Sequence, residues 1–342
     1  MTKPVKIAVV GCGYITQAEH VPALLSLQPE IQVVAAVDSE IKRAAAVAAP
    51  FSARNFSSMA EALTAVDFEA VMIFTPAPTH AALIAEAAEA GKDILVEKPL
   101  AYSLQEARQA ITAVEKTGVK CMVAYHRRYD DDCRHVKRLI SEKAIGDVRA
   151  AVSLCRLTFP SHYKKYADIG SRPSGDKSQD LPADWLTENS IHHINLLRFW
   201  LGDVQKIHSA VYRDYDHNLG MITFEFEEKI LASHHQLRGM ECGEEITVYG
   251  TLGNIRVELW YPHRPYRFPR VTHFTVDPPR WSEVVLPRNS PYTNEVAQFV
   301  RYIKGEADMW SDLADSYRDL EIMRDILDRA VYVGPDSGKE KK

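Results

Sequence analysis

No stretch of the 342 residues approaches the ~20 consecutive apolar residues that span a bilayer, so no membrane helix is expected. Cysteine is sparse. Cys12, Cys121, Cys133, Cys155 and Cys242 are scattered, odd in number and form no CxxC pair, which argues against a disulfide framework or a zinc ribbon. Reduced thiols in a cytoplasmic protein are the expectation. Charge of either sign is nearly balanced, at −5 net, so no general attraction to nucleic acid is expected. The N-terminus, MTKPVKIAVVG, enters an apolar strand pattern directly, without the flanks of a signal peptide. No internal repeat is visible. What remains is the composition of a soluble globular protein, 46% hydrophobic and 25% charged, in a chain long enough for about two domains.

Residues 5–38 organise the rest. Val5 to Val10 has the length of a buried strand, Gly11-Cys12-Gly13 breaks it, and a helical stretch follows with Ala18, Val21, Leu24 and Leu25 on one face. Ile31 to Val37 is a second apolar run, closed by Asp38. Strand, glycine turn, helix, strand and acid form a βαβ unit suited to a dinucleotide. Gly11 permits the tight turn and Gly13 lets backbone approach a pyrophosphate, which the N–H groups of Tyr14 and Ile15 then face. The Asp38 carboxylate suits a ribose diol and repels a 2′-phosphate, favouring NAD over NADP. The third fingerprint position holds Thr16 in place of Gly or Ala, so helix and strand are expected to sit slightly further apart there.

Helix and strand patterns alternate as far as Tyr125. Capping boxes open helices at Ser57 or Ser58 with Glu61, and at Ser103 with Glu106, while Gly91 and Gly118 close helices. Such alternation predicts a doubly wound parallel sheet covered on both faces. After a helix over 130–141, the strands lengthen and alternate polar with apolar: 148–159, 204–212, 221–227, 230–237, 245–249 and 254–259. This half is expected to be a mostly antiparallel open sheet with helices on one face, including 186–201, 292–303 and a last helix over 313–331. The domain boundaries that follow are 1–126 for a dinucleotide-binding domain and 127–333 for a substrate-binding and oligomerisation domain, with the final helix free to pack back on the first and a disordered tail over 334–342. Residues 160–184 read as a long polar loop, either a binding lid or a surface insertion. Its Lys164, Lys165 and Arg172 suit a carboxylate or phosphate, against Asp168 and Asp176 among them.

Two clusters could carry chemistry. Glu97-Lys98-Pro99 ends a predicted parallel strand, at the edge where doubly wound sheets bind ligands, so Lys98 either snorkels to water or is poised over a ligand. In Glu188-Asn189-Ser190-Ile191-His192-His193-Ile194-Asn195, a regular helix puts Glu188 and His192 on one face, where the carboxylate can orient the imidazole; a buried pair without chemistry is the alternative. Adjacent His192 and His193, and His234 and His235 on opposite faces of a strand, do not make a metal site, and none is expected.

These stretches resemble the glucose–fructose oxidoreductase, myo-inositol dehydrogenase and MocA family over nearly the whole chain. The resemblance rests on Gly11-Cys12-Gly13 through His20-Val21-Pro22-Ala23-Leu24, on Thr75-Pro76 with His80, and on Ala90-Gly91-Lys92 running into Glu97-Lys98-Pro99-Leu100. It continues through Tyr125-His126-Arg127-Arg128-Tyr129 and through Glu245-Ile246 with Gly250-Thr251 and Gly253. It implies cofactor contacts at Thr75, Pro76, His80, Glu97 and Lys98, and substrate contacts at Lys98, His126, Arg127, Asn189 and His192. Lys98 takes the role of the family's catalytic lysine. The family's Asp-x-Gly-x-His motif falls on Glu188, Ser190 and His192, which makes His192 the general base and Glu188 its orienting acid. Glu188 and Ser190 depart from that pattern, so a different substrate pocket is expected.

The activity implied is reversible hydride transfer between NAD, or less readily NADP, and a secondary alcohol of a sugar, cyclitol or related polyol. Lys98 and His192 are expected to converge on that alcohol. A non-enzymatic nucleotide-binding regulator and a redox-neutral NAD-dependent enzyme are the alternatives. The expected partners are a small-molecule substrate and copies of the same chain in a homodimer or homotetramer, with no nucleic acid and no membrane.

Overall fold

The computed structural model describes residues 3–157, 181, 186–213, 219–238, 243–259, 270–286 and 290–334. The loop expected over 160–184, apart from Leu181, lies outside them, as do Cys242 and the tail beyond Gly334. In the described residues the chain divides into two compact units. One draws on the described residues within 3–129 and 290–320, the other on those within 130–157, 181–286 and 321–334.

The chain begins with β1 (Val5–Val10), a π-type turn over Thr16–His20 and α1 (Val21–Ser26). It continues through β2 (Ile31–Val37), α2 (Ile41–Ala48), β3 (Arg54–Phe56), α3 (Met59–Ala65) and β4 (Ala70–Ile73). Then come α4 (His80–Glu89), β5 (Asp93–Glu97), α5 (Leu104–Thr117) and β6 (Cys121–Ala124). The expected punctuation is realised. Ser58 and Ser103 accept from the N–H groups of Glu61 and Glu106 at the starts of α3 and α5, and Gly118 closes α5 at φ +73°. On the first helix Leu24 is buried as expected, but Leu25 is 41% exposed and Ala23 is buried in its place. The six strands form one parallel sheet in the order β3-β2-β1-β4-β5-β6. The order reverses between β1 and β4, and doubly wound sheets bind ligands outside the strand ends at that point. Ile7, Val9, Met72 and Leu95 form the centre of this unit's core, joined by Val296 and Phe299.

The second unit starts with α6 (Asp131–Ser141), capped by Asp130, and β7 (Val148–Leu157). A π-type turn over Leu186–Ser190 leads into α7 (Ile191–Leu201). Next come β8 (Val204–Tyr212), β9 (Leu219–Phe226), β10 (Leu231–Arg238), β11 (Gly243–Gly250), β12 (Gly253–Leu259), β13 (Arg270–Val276) and β14 (Pro279–Val284). The helix α8 (Pro291–Ile303) returns to the first unit, α9 (Leu313–Arg329) has residues in both, and β15 (Ala330–Tyr332) is the last described element. The nine-stranded sheet runs β14-β13-β12-β11-β7-β10-β9-β8-β15, antiparallel except for β7 with β10 and β8 with β15.

Two expectations need correction. The last helix stops at Arg329, and the chain beyond it pairs with β8, placing Val331 opposite Val211. Three residues are too few for a period to show, so only the partner strand reveals this one. The stretch 186–201 is not one regular helix, because its first turn is π-type and α7 begins at Ile191.

Candidate active site

In the first unit the candidate site lies at the switch point of the parallel sheet. Gly11 sits at φ +92°, and a Cβ there would lie 2.7 Å from the Phe74 carbonyl, so both conformation and space require glycine. Gly13 is different: a Cβ there would meet nothing within 4 Å. The folded chain itself makes no demand for glycine at that position, as fits a backbone kept bare for a bound group. Tyr14 and Ile15 stand in the first helical turn, where Gln17 N–H donates to the Gly13 carbonyl at 3.1 Å. Thr16 is fully buried and its hydroxyl donates to the Gly11 carbonyl at 2.7 Å. The bulk at the third fingerprint position is thus taken up by a hydrogen bond and a wide π-type turn.

Asp38 is tied to this loop. Its Oδ2 accepts from Cys12 N–H and its Oδ1 from Glu40 N–H, each at 2.8 Å. A carboxylate held by two backbone donors at the end of β2 has a fixed direction, which ribose recognition needs.

At the end of β4, Thr75 accepts a hydrogen bond from the Thr79 hydroxyl at 2.7 Å, and Pro76 is exposed. His80 has no exposed surface. Its Nε2 lies 2.8 Å from the Thr75 carbonyl and its Nδ1 3.0 Å from the Pro99 carbonyl, so it touches the loops that follow β4 and β5. Burial lowers its pKa.

Glu97 ends β5 and is buried. Its Oε1 lies 3.0 Å from His20 Nε2, and its Oε2 accepts from the Lys98 N–H at 3.0 Å. His20 is fully buried, stacked on Phe74 at 3.6 Å and edge-on to Tyr292. Lys98 itself is half-buried, immediately beyond this clamp. His126 and Arg127 occupy a buried 3-10 turn, with His126 stacked on Tyr292 at 4.7 Å. Beside this cluster Glu295 is fully buried, and burial together with the charge of Glu97 holds its carboxyl well above the usual range.

In the second unit Glu188 and Asn189 are half-buried in the π-type turn, and His192 is half-buried in the first turn of α7. The spacing of Glu188 and His192 therefore crosses a junction between two helix types.

A second polar group in this unit has no counterpart in the sequence reading. Ser153 Oγ lies 2.7 Å from His193 Nδ1 and 3.0 Å from His234 Nδ1, while His234 Nε2 lies 2.9 Å from Ser190 Oγ. All four residues are buried. Burial, then the charge of His193, holds His234 well below the usual imidazole range. Alternation gave a signal. Ser153 and Cys155 on β7, and His234 and Gln236 on β10, are polar at every second residue on the faces that bury Ala151 and Ala232.

A family model described as the oxidoreductase family with an NAD-binding Rossmann fold matches residues 5–125, and one described as the GFO/IDH/MocA C-terminal domain matches 133–256. Inositol 2-dehydrogenase 3 of Saccharopolyspora erythraea is 31% identical over 61% of this chain and 57% of its own length. An NAD-dependent scyllo-inositol 2-dehydrogenase of Bacillus subtilis is 32% identical over 59% of this chain and 55% of its own. The matches thus span little more than half of either relative. A 3-ketoreductase of Actinomadura kijaniata, solved with NADP and TDP-benzene, shares the fold at a TM-score of 0.79, with 21% identity over 96% of this chain and 98% of its own.

Proposed function

The chain belongs to the GFO/IDH/MocA oxidoreductase family, and on that premise we propose that it is an NAD-dependent dehydrogenase of a secondary alcohol in a sugar or cyclitol. The observation that carries this reading is the pairing of a glycine loop whose second glycine faces open space with an Asp38 carboxylate bound to that same loop. A residue free of internal packing constraints, next to an acid aimed by backbone donors, suits an adenosine ribose and its pyrophosphate. When bound, the dinucleotide supplies the hydride acceptor. Asp38 favours NAD because a 2′-phosphate would meet its negative charge.

His192 takes the hydroxyl proton, so that the carbinol oxygen can become a carbonyl as hydride leaves. Lys98 donates a hydrogen bond to that oxygen and offsets its developing charge. Glu188 orients the His192 imidazole. Thr75, Pro76 and Glu97 belong to the cofactor contacts, and His126, Arg127 and Asn189 to the substrate contacts. His80 acts by fixing the loops that carry Thr75 and Pro99. The inositol dehydrogenases among the relatives support a cyclitol or sugar.

The assembly proposed is a homo-oligomer through the open face of the nine-stranded sheet, where Met221 is 54% and Leu231 55% exposed. A cytoplasmic setting suits the thiols of Cys12, Cys121, Cys133 and Cys155, none of them in a disulfide.

The test is a panel of inositols, sugars and sugar acids with NAD and NADP, followed by the absorbance of reduced cofactor. Formation of NADH with at least one polyol is expected. Bound cofactor with no net reduction across the panel overturns the dehydrogenase in favour of a regulator or a redox-neutral enzyme.

A further inference from the structure

One end of the covered face of the nine-stranded sheet gathers three side chains of different donor chemistry. Cys155 on β7 and Glu244 on β11 are directly opposite in register, and His193 on α7 lies over them. Their ligating atoms, one thiol sulfur, one imidazole nitrogen and one carboxylate oxygen, all lie within 4.8 Å of one another. Cys155 and His193 are each 1% exposed and Glu244 is 9% exposed. His193 Nε2 is 3.8 Å from Glu244 Oε2, too far for a hydrogen bond, and makes none among the described residues. A buried imidazole nitrogen in that position costs stability unless something binds it.

From this geometry we propose that Cys155 Sγ, His193 Nε2 and the Glu244 carboxylate hold one transition-metal ion of the Zn2+ class. The donor set is the combination such an ion takes, with the thiolate excluding Mg2+ and Ca2+. Two anionic donors offset a divalent charge. Bond lengths of about 2.0–2.3 Å put donor atoms of a tetrahedral site roughly 3.3–3.7 Å apart, so side-chain shifts of about an ångström close the site. Three protein donors leave a fourth position for water or another small oxygen ligand.

The surrounding hydrogen bonds accommodate the tautomer that metal binding requires. With a metal ion on His193 Nε2, His193 Nδ1–H donates to Ser153 Oγ, which leaves the Ser153 hydroxyl to donate to His234 Nδ1 and His234 Nε2–H to donate to Ser190 Oγ, over the contacts of 2.7, 3.0 and 2.9 Å. In that sense of the chain, His193 Nε2 carries its lone pair toward Cys155 and Glu244. A serine that fixes the far nitrogen of a ligating histidine is an outer-sphere partner of the kind metal sites use. Binding exchanges the thiol proton for the metal: the S–H bond breaks, an S–metal bond forms and H+ passes to solvent. None of this depends on the hydride-transfer reading.

The experiment uses the full chain, stripped with chelator and titrated with Co2+. Expected are one Co2+ per chain, a thiolate-to-cobalt charge-transfer band, tetrahedral d–d absorption and displacement by Zn2+. Cys155→Ser should abolish the charge-transfer band. Ser153→Ala keeps all three ligands, tests the site if Cys155→Ser does not fold, and should weaken Co2+ about 10–100-fold. Absence of stoichiometric Co2+ binding by the wild-type chain overturns the proposal. So does an unchanged charge-transfer band in folded Cys155→Ser, or unchanged affinity in Ser153→Ala.

Discussion

His20 Nε2 meets Glu97 Oε1 at 3.0 Å, and the other oxygen of the same carboxylate accepts the N–H of Lys98. One buried acid therefore links the first helical turn after the glycine loop to the backbone of the residue proposed to hold the reacting oxygen. His20→Ala leaves Glu97 buried without its main partner and should cost about 3 kcal/mol, read by urea denaturation. Glu97→Gln keeps a hydrogen bond and should cost about 1 kcal/mol. Equal losses would mean that the pair does not act as a clamp.

Replacing Lys98 or His192 with Ala should lower kcat by at least about 100-fold each, because each removes a group that acts as charge develops on oxygen. Dinucleotide affinity, followed by fluorescence titration, should change little in the His192 variant. A variant that retains turnover within a few-fold of wild type removes that residue from the mechanism.

Asp38→Ser should raise the ratio of kcat/KM for NADP over NAD at least tenfold, or about 1.4 kcal/mol, by removing charge repulsion. Parallel steady-state kinetics with both cofactors check this. Greater NADP activity in the wild-type enzyme would overturn the NAD assignment.

Glu295 gives a pH-dependent stability of definite sign. Its carboxyl stays neutral in the folded chain well above its ordinary value of 4.5, whereas the unfolded chain ionises it there. The folded state then holds the extra proton, so this group's contribution to stability is full below about 4.5 and declines as pH rises toward its folded pKa. Glu295→Met fills similar space without a carboxyl. It should raise stability by about 1–2 kcal/mol at pH 8 and by less at pH 5, measured by denaturant unfolding at both.

His234 has the opposite dependence. Burial disfavours its imidazolium, so the folded chain binds fewer protons than the unfolded one once pH falls below its ordinary value of 6.5. Its contribution is therefore present above 6.5 and is lost on acidification toward the folded pKa, by up to ~1.4 kcal/mol per pH unit. His234→Gln should flatten that part of the stability profile relative to wild type.

Local sequence determined the parallel sheet, its helix caps and the glycine loop, because turn chemistry, capping boxes and hydrophobic period are set by residues within a few positions of one another. Ser58 with Glu61, Ser103 with Glu106, and Gly11 before Asp38 could all be read without a structure. Where a side chain's value depends on what another segment brings, the sequence was mute. Only the tertiary structure showed that Thr16 bonds back to Gly11, that Glu97 is held by His20, and that the chain after α9 adds a strand beside β8. It also decided that Ser153, Cys155, His193, His234 and Glu244 share one buried face. Their separation along the chain is large and their contacts depend on strand register and helix docking, which no local pattern encodes.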